Sequence, residues 1–267
     1  MKPISQKKLF LLDMDGTIYL DKTLFPETIP FLDAIKAGGA KPLYLTNNSS
    51  KIVTAYIDKL RSMGIDATKE DFLTSTDATV RYLSEHYEGK KLYAFGTRSF
   101  CEQLEESGFT ITTHLEDDIA AIVMGNDTEL TFQKLEDTCI LLNRGVDYIA
   151  TNPDYVCPTW YGFVPDCGSI AQILHTATGR MPIFIGKPQP EMIYFALEKE
   201  GLEKDDAVMI GDRVYTDIAA GVNAGIDTIF VLSGEGTVAD AEASPTKPTY
   251  IMQDIGEVRR AFVNGQS

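Results

Sequence analysis

The chain has 267 residues, 44% hydrophobic and 24% charged, which suits one large or two modest domains with real cores. Its 39 Asp and Glu against 24 Lys and Arg give a net charge of −15, and this argues against a nucleic-acid partner, whose binders carry basic stripes. No segment approaches the roughly 18 uncharged residues of a membrane span, the first apolar run stops at Asp13, and Cys101, Cys139, Cys157 and Cys167 form no CxxC pair. A cytoplasmic protein with reduced thiols is expected. In chain order, apolar runs predict strands at LFLL (9–12), PLYL (42–45), FLTS (72–75), LYAF (92–95), IAAIVM (119–124), DYIA (147–150), IFIG (183–186), AVMI (207–210) and TIFVL (228–232). Segments of helical periodicity lie between them, at 52–64, 132–145 and 191–201, and several end on Gly. Such alternation predicts an α/β fold built on parallel sheets.

Four of the apolar runs end on groups that can do chemistry. LFLL leads into Asp13 and Asp15, PLYL into Thr46-Asn47-Asn48, AVMI into Gly211-Asp212, and IFIG into Lys187-Pro188. In an open parallel sheet ligands sit beyond the carboxyl ends of the strands, so neighbouring runs would converge on one spot. Asp13 and Asp15, at i and i+2, leave the same face of an extended chain. Gly16 permits a sharp turn after them, and Thr17 can cap locally. Asp217 opens the segment IAAGVNAG, where a carboxylate can satisfy the first N–H groups of a helix. Several carboxylates cannot gather as anions without a partner, and a hard divalent cation such as Mg²⁺ is the natural one. With Lys187 and the Thr46 hydroxyl as donors to an anion, the set specifies phosphoryl transfer.

Asp13-Met14-Asp15-Gly16-Thr17, Thr46-Asn47-Asn48, Gly186-Lys187-Pro188 and Gly211-Asp212-Arg213-Val214-Tyr215-Thr216-Asp217 stand in the order of the four motifs of the haloacid dehalogenase superfamily. The second and fourth resemble those of its NagD-like branch, which includes nitrophenyl phosphatases and pyridoxal phosphate phosphatases. The resemblance implies a Rossmann-like parallel-sheet core with an inserted α/β cap domain. Thr46 follows Asp13 by 33 positions, enough for a short strand flap and one helix, whereas Lys187 follows Thr46 by 141. The surplus places the cap at 79–182 and a discontinuous catalytic core at 1–78 plus 183–267. A cap in that position disfavours phosphomutases whose cap follows the first motif.

Carried over by position, the resemblance makes Asp13 the nucleophile and Asp15 the acid and base. Mg²⁺ would be held by the Asp13 carboxylate, the Asp15 carbonyl and Asp212. Thr46, the backbone near Asn47, Lys187 and Arg213 would bind the phosphoryl group, while Asp217 would orient Lys187 or a metal-bound water, or serve only as a helix cap. Members that cleave carbon–halogen bonds lack the acid at the position of Asp15, so a phosphatase acting on small phosphorylated metabolites is expected. Sugar phosphates, nucleoside monophosphates and pyridoxal phosphate are the substrate classes, and a phosphate-binding regulatory protein or a phosphotransferase is the alternative. Within the cap, Trp160, Tyr161 and Phe163 could stack on a ring, with core or hinge packing the plainer reading. Many relatives carry Pro-Gly-x-Gly where this chain has Pro165-Asp166-Cys167-Gly168, so Asp166 adds a carboxylate near the expected pocket. An exposed cap face could also pair two subunits.

Overall fold

The computed structural model describes residues 2–50, 53–159 and 161–265. The chain divides into two compact units, one made of Met1–Thr46, Tyr56–Leu73 and Lys187–Ser267, the other of Asn47–Ala55 and Thr74–Gly186.

The first unit is organised by a six-stranded sheet in the order Tyr250–Met252, Asp227–Val231, Ala207–Gly211, Leu9–Leu12, Lys41–Thr46, Phe72–Thr74. The first five strands pair in parallel. Leu9–Leu12 is continuously apolar because both of its faces are covered, and all four residues are fully buried. On one face Phe10 meets Phe31 of helix Thr28–Ala37 and Phe262 of helix Ile255–Asn264 edge to face, at centroid distances of 5.7 and 5.4 Å. On the other, Gly221 of helix Ala219–Ala224 brings its backbone against Met209, where a Cβ would stand 3.1 Å from that side chain. The chain runs outward from Leu9–Leu12 in one direction through Lys41–Thr46 and later in the other through Ala207–Gly211. The central strand therefore marks the switch point, and in open parallel sheets ligands bind beyond the carboxyl end of such a strand.

The second unit has its own parallel sheet, ordered Ile183–Phe184, Asp147–Ala150, Ile119–Met124, Lys91–Phe95, Thr110–Thr112. Tyr93, Phe95, Ile122, Met124, Leu141 and Leu174 lie in its separate core. Val156–Thr159 and Gly162–Pro165 add an antiparallel hairpin.

Several details depart from the sequence pattern. The flap between the first two motifs is the hairpin Tyr19–Leu20 and Thr23–Leu24, too short to show alternation. Thr110–Thr112 and Tyr250–Met252 are short, partly exposed edge strands with no apolar run to mark them. Ser75 belongs to helix Ser75–His86 rather than to a strand, because Thr74 caps that helix through the Asp77 N–H. Tyr161 and Phe163 do not pack in a core: both are more than 60% exposed on the hairpin, and Trp160 lies outside the described residues. Asp166 is buried, and its carboxylate accepts the Cys167 N–H as the N-cap of helix Cys167–Thr178. Cys101, Cys139 and Cys167 are thiols outside any disulfide. Among the described residues no helix is long and apolar enough to cross a membrane.

Candidate active site

Asp13 is the first residue beyond the central strand, and its N–H donates to the Ile210 carbonyl at 2.9 Å, so the ladder holds the backbone up to this carboxylate. The chain then turns sharply. Gly16 adopts φ +88°, and a Cβ there would stand 2.3 Å from Asp212 Oδ2, so only glycine lets this turn approach the second carboxylate. Asp212 follows the neighbouring strand Ala207–Gly211 by one residue. Its Oδ2 accepts the Glu235 N–H at 2.7 Å, whereas its Oδ1 is buried with no hydrogen-bond partner among the described residues.

Lys187 ties the cluster together. Its ammonium donates to Asp13 Oδ1 and Asp217 Oδ1, each at 2.7 Å, and to the Leu45 carbonyl at 3.3 Å. Asp217 is not at an α-helix N-cap, as the sequence allows, but inside a π-helical turn, Val214–Ile218, that precedes helix Ala219–Ala224. The wider turn swings its carboxylate back, so that Oδ2 accepts the Arg213 N–H at 3.1 Å while Oδ1 takes Lys187. Oxygens of Asp13, Asp212 and Asp217 lie within 4.8 Å of one another. Of the three, Asp217 has both oxygens engaged by the protein, and Asp212 has one wholly unmet.

The electrostatics follow from this crowding. Burial pushes Asp13 up to about 8, with repulsion from Asp217 and Asp212 adding to it and Lys187 pulling against it. Asp212 is pushed up to about 6, again mainly by burial and then by Asp217. Burial works against the Lys187 charge, but Asp13 and Asp217 outweigh it and hold the ammonium above its ordinary value. Asp15 is also raised by burial, with Lys59 opposing. Its carboxylate is outside the Asp13–Asp212–Asp217 group: Oδ2 lies 4.0 Å from Lys59 Nζ and Oδ1 accepts weakly from the Asp21 N–H at 3.4 Å. One aspartate is thus locked beside the lysine, and the other is held by two longer contacts.

Thr46 is buried at the end of strand Lys41–Thr46. Asn47, the next residue, belongs to the second unit. Its amide donates to Asp154 Oδ2 at 3.0 Å, and its carbonyl accepts from Ser75 Oγ at 2.6 Å and Asn152 Nδ2 at 2.8 Å. A phosphate role for Asn47 therefore concerns its backbone N–H. The Arg213 guanidinium pairs with Glu235, Nε to Oε2 at 3.0 Å. Three participants were not singled out by sequence. Lys59 sits mid-helix with nothing to mark it, and its ammonium also covers the Tyr19 ring at 3.9 Å. Ser233 and Glu235 follow TIFVL, a fifth apolar run with a small polar exit, which was the available signal.

Comparison with known proteins identifies the family. Residues 10–110 match the family profile of haloacid dehalogenase-like hydrolases, and residues 184–258 match that of HAD-hydrolase-like proteins. An acid sugar phosphatase of Staphylococcus aureus is 37% identical over 254 residues, 95% of this chain and 97% of its own. The crystal structure of a 4-nitrophenylphosphatase from Thermotoga maritima superposes with a TM-score of 0.91 at 39% identity, covering 97% of this chain and 98% of that one. A glycerol phosphate phosphatase from Mycobacterium tuberculosis, solved in complex with magnesium, gives 0.90 at 29% identity over 97% of this chain and 78% of its own. With the four motifs gathered at the switch point of a parallel sheet, the chain belongs to the haloacid dehalogenase-like hydrolases, in their NagD-like phosphatase branch.

Proposed function

We propose that the protein is a Mg²⁺-dependent phosphomonoesterase that hydrolyses small phosphorylated metabolites through a phosphoryl group carried on Asp13. The observation that carries this reading is the buried Lys187 ammonium, 2.7 Å from both Asp13 and Asp217, at the end of the central strand. The lysine holds one carboxylate in a single orientation and offers a fixed positive charge to the transferring oxygens.

The residues fit a divalent cation, because the unmet Asp212 Oδ1 is a buried carboxylate oxygen that a hard cation would satisfy. The Asp13 carboxylate, the Asp15 carbonyl and Asp212 would hold it; Asp217, with both oxygens already bonded, orients Lys187 instead. Bound Mg²⁺ shields the nucleophile from the substrate's charge and stabilises charge developing on the phosphoryl oxygens.

In the first half-reaction an Asp13 oxygen forms a bond to phosphorus while the ester oxygen leaves, taking its proton from Asp15. In the second, Asp15 accepts a proton from water as the water oxygen attacks phosphorus and the bond to Asp13 breaks, releasing inorganic phosphate. Thr46, the Asn47 N–H and Lys187 bind the phosphoryl oxygens in both. The second unit acts as the cap and selects the substrate. Relatives named acid sugar phosphatase and glycerol phosphate phosphatase favour the sugar and polyol phosphates among the expected classes.

Hydrolysis of p-nitrophenyl phosphate tests the reading. Activity should require Mg²⁺, vanish in EDTA, and fall by roughly 10⁴-fold or more in Asp13→Asn. Metal-independent turnover, or an Asp13→Asn enzyme as active as wild type, overturns it.

A further inference from the structure

The loop after strand Asp227–Val231 touches both segments that carry the proposed cation ligands. On one side the Glu235 N–H donates to Asp212 Oδ2 at 2.7 Å and the Gly236 N–H to the Asp212 carbonyl at 3.1 Å. Gly234 lies so close that a Cβ would stand 2.0 Å from Asp212 Oδ2 and 2.5 Å from its Cγ. On the other side the Ser233 hydroxyl donates to the Gly16 carbonyl at 2.7 Å, in the turn that follows Asp15. That turn in turn abuts Asp212, since a Cβ on Gly16 would also meet Oδ2.

These contacts are lopsided in a way that points to a ligand. The loop N–H groups that reach Asp212 go to its Oδ2 and its backbone carbonyl, and Oδ1 of the same carboxylate is buried and unmet among the described residues. A loop serving only to pack the site would gain more by satisfying both oxygens. Pinning one oxygen stops rotation about the Cβ–Cγ bond and presents the other in a fixed direction, as partners of metal ligands do.

We propose that Ser233–Gly236 is a positioning clamp for the divalent cation: it holds the Asp212 carboxylate and the Gly16 turn in register so that Asp212 Oδ1 is the oxygen offered to the metal. The clamp rests on the Mg²⁺ reading above. Ser233 and Gly234 act through Asp212 and Gly16 and do not touch the substrate.

Cation affinity, not turnover, is the readout. Mn²⁺ binding is measured by electron paramagnetic resonance, with Mg²⁺ competition, on wild type, Ser233→Ala, Ser233→Thr and Gly234→Ala, each checked for folding by circular dichroism. Gly234→Ala should bind Mn²⁺ about 10–100-fold more weakly, and Ser233→Ala about 10-fold, the range found when partners of metal ligands are removed. Ser233→Thr keeps the hydroxyl and should stay within about twofold of wild type. Folded Ser233→Ala and Gly234→Ala proteins that bind as tightly as wild type overturn the clamp. Should Gly234→Ala fail to fold, the serine pair decides: loss in Ala with retention in Thr supports the clamp, and retention in both overturns it. A wild-type protein that binds no Mn²⁺ overturns the Mg²⁺ reading together with the clamp, an outcome distinct from failure of the clamp alone.

Discussion

In the proposed reaction two aspartates two positions apart take different parts because their surroundings differ. Asp13 is bonded to Lys187 at 2.7 Å, while Asp15 accepts the Asp21 N–H at 3.4 Å and lies 4.0 Å from the Lys59 ammonium. A proton carrier matters most when the leaving oxygen is basic. Asp15→Asn should therefore lower kcat about 10²–10⁴-fold on an alkyl phosphate and much less on p-nitrophenyl phosphate, compared as a ratio of the two substrates. Equal losses on both would assign Asp15 to binding. The raised carboxyls also make stability depend on pH. Asp13 and Asp212 titrate at about 8 and about 6 in the folded chain, against about 4 when unfolded. Their contribution is full below about pH 4 and is lost as pH rises through about 6 and then 8, where the fold must hold ionised groups against burial. A cation bound at the proposed site would restore that loss. The rise in thermal midpoint caused by Mg²⁺ should thus be larger near pH 8 than near pH 5, and a shift that does not change with pH would refute it.

At the scale of elements, the central strand was legible because burial on both faces forces an unbroken apolar run. Leu11 is fully buried in it, and Leu11→Ala should cost about 2–5 kcal/mol in urea unfolding. The carboxyl exits of LFLL, PLYL, IFIG and AVMI were legible for a related reason, since polar groups directly after a buried run need an environment of their own. The exit of TIFVL follows the same rule, but Ser233 and Gly234 are common loop residues, and only their contacts with Gly16 and Asp212 distinguish them. The Gly16 turn shows the same limit. Glycine after Asp15 promised a turn, but its need is set by Asp212, 196 positions later. Gly16→Ala combines a strained φ with that overlap and should weaken Mg²⁺ binding, by isothermal titration, at least about 10-fold.

At the scale of the molecule, the chain forms two units, each with its own core, and the proposed cation ligands all belong to the first. Unfolding followed by calorimetry should therefore depart from a single two-state transition, with Mg²⁺ raising the transition of the first unit and leaving that of the second in place. One transition that shifts as a whole would show the units to be energetically inseparable. The unit boundaries were not legible in the motif spacing, which puts a core segment at 1–78. Residues 47–55 join the second unit because Asn47 bonds Asp154 and Ser49 bonds Thr151, partners more than a hundred positions away. The Asp166 carboxylate was likewise decided by its neighbours, which use it to cap a helix. By itself the sequence determined the α/β alternation, the order of the four motifs and the kind of chemistry, because burial period and residue type are local properties of a chain. The tertiary structure alone decided which carboxylate oxygen stays unmet, which loop holds Asp212 and where Asn47 belongs, because each is a hydrogen bond or a close approach between residues that are neighbours only after folding.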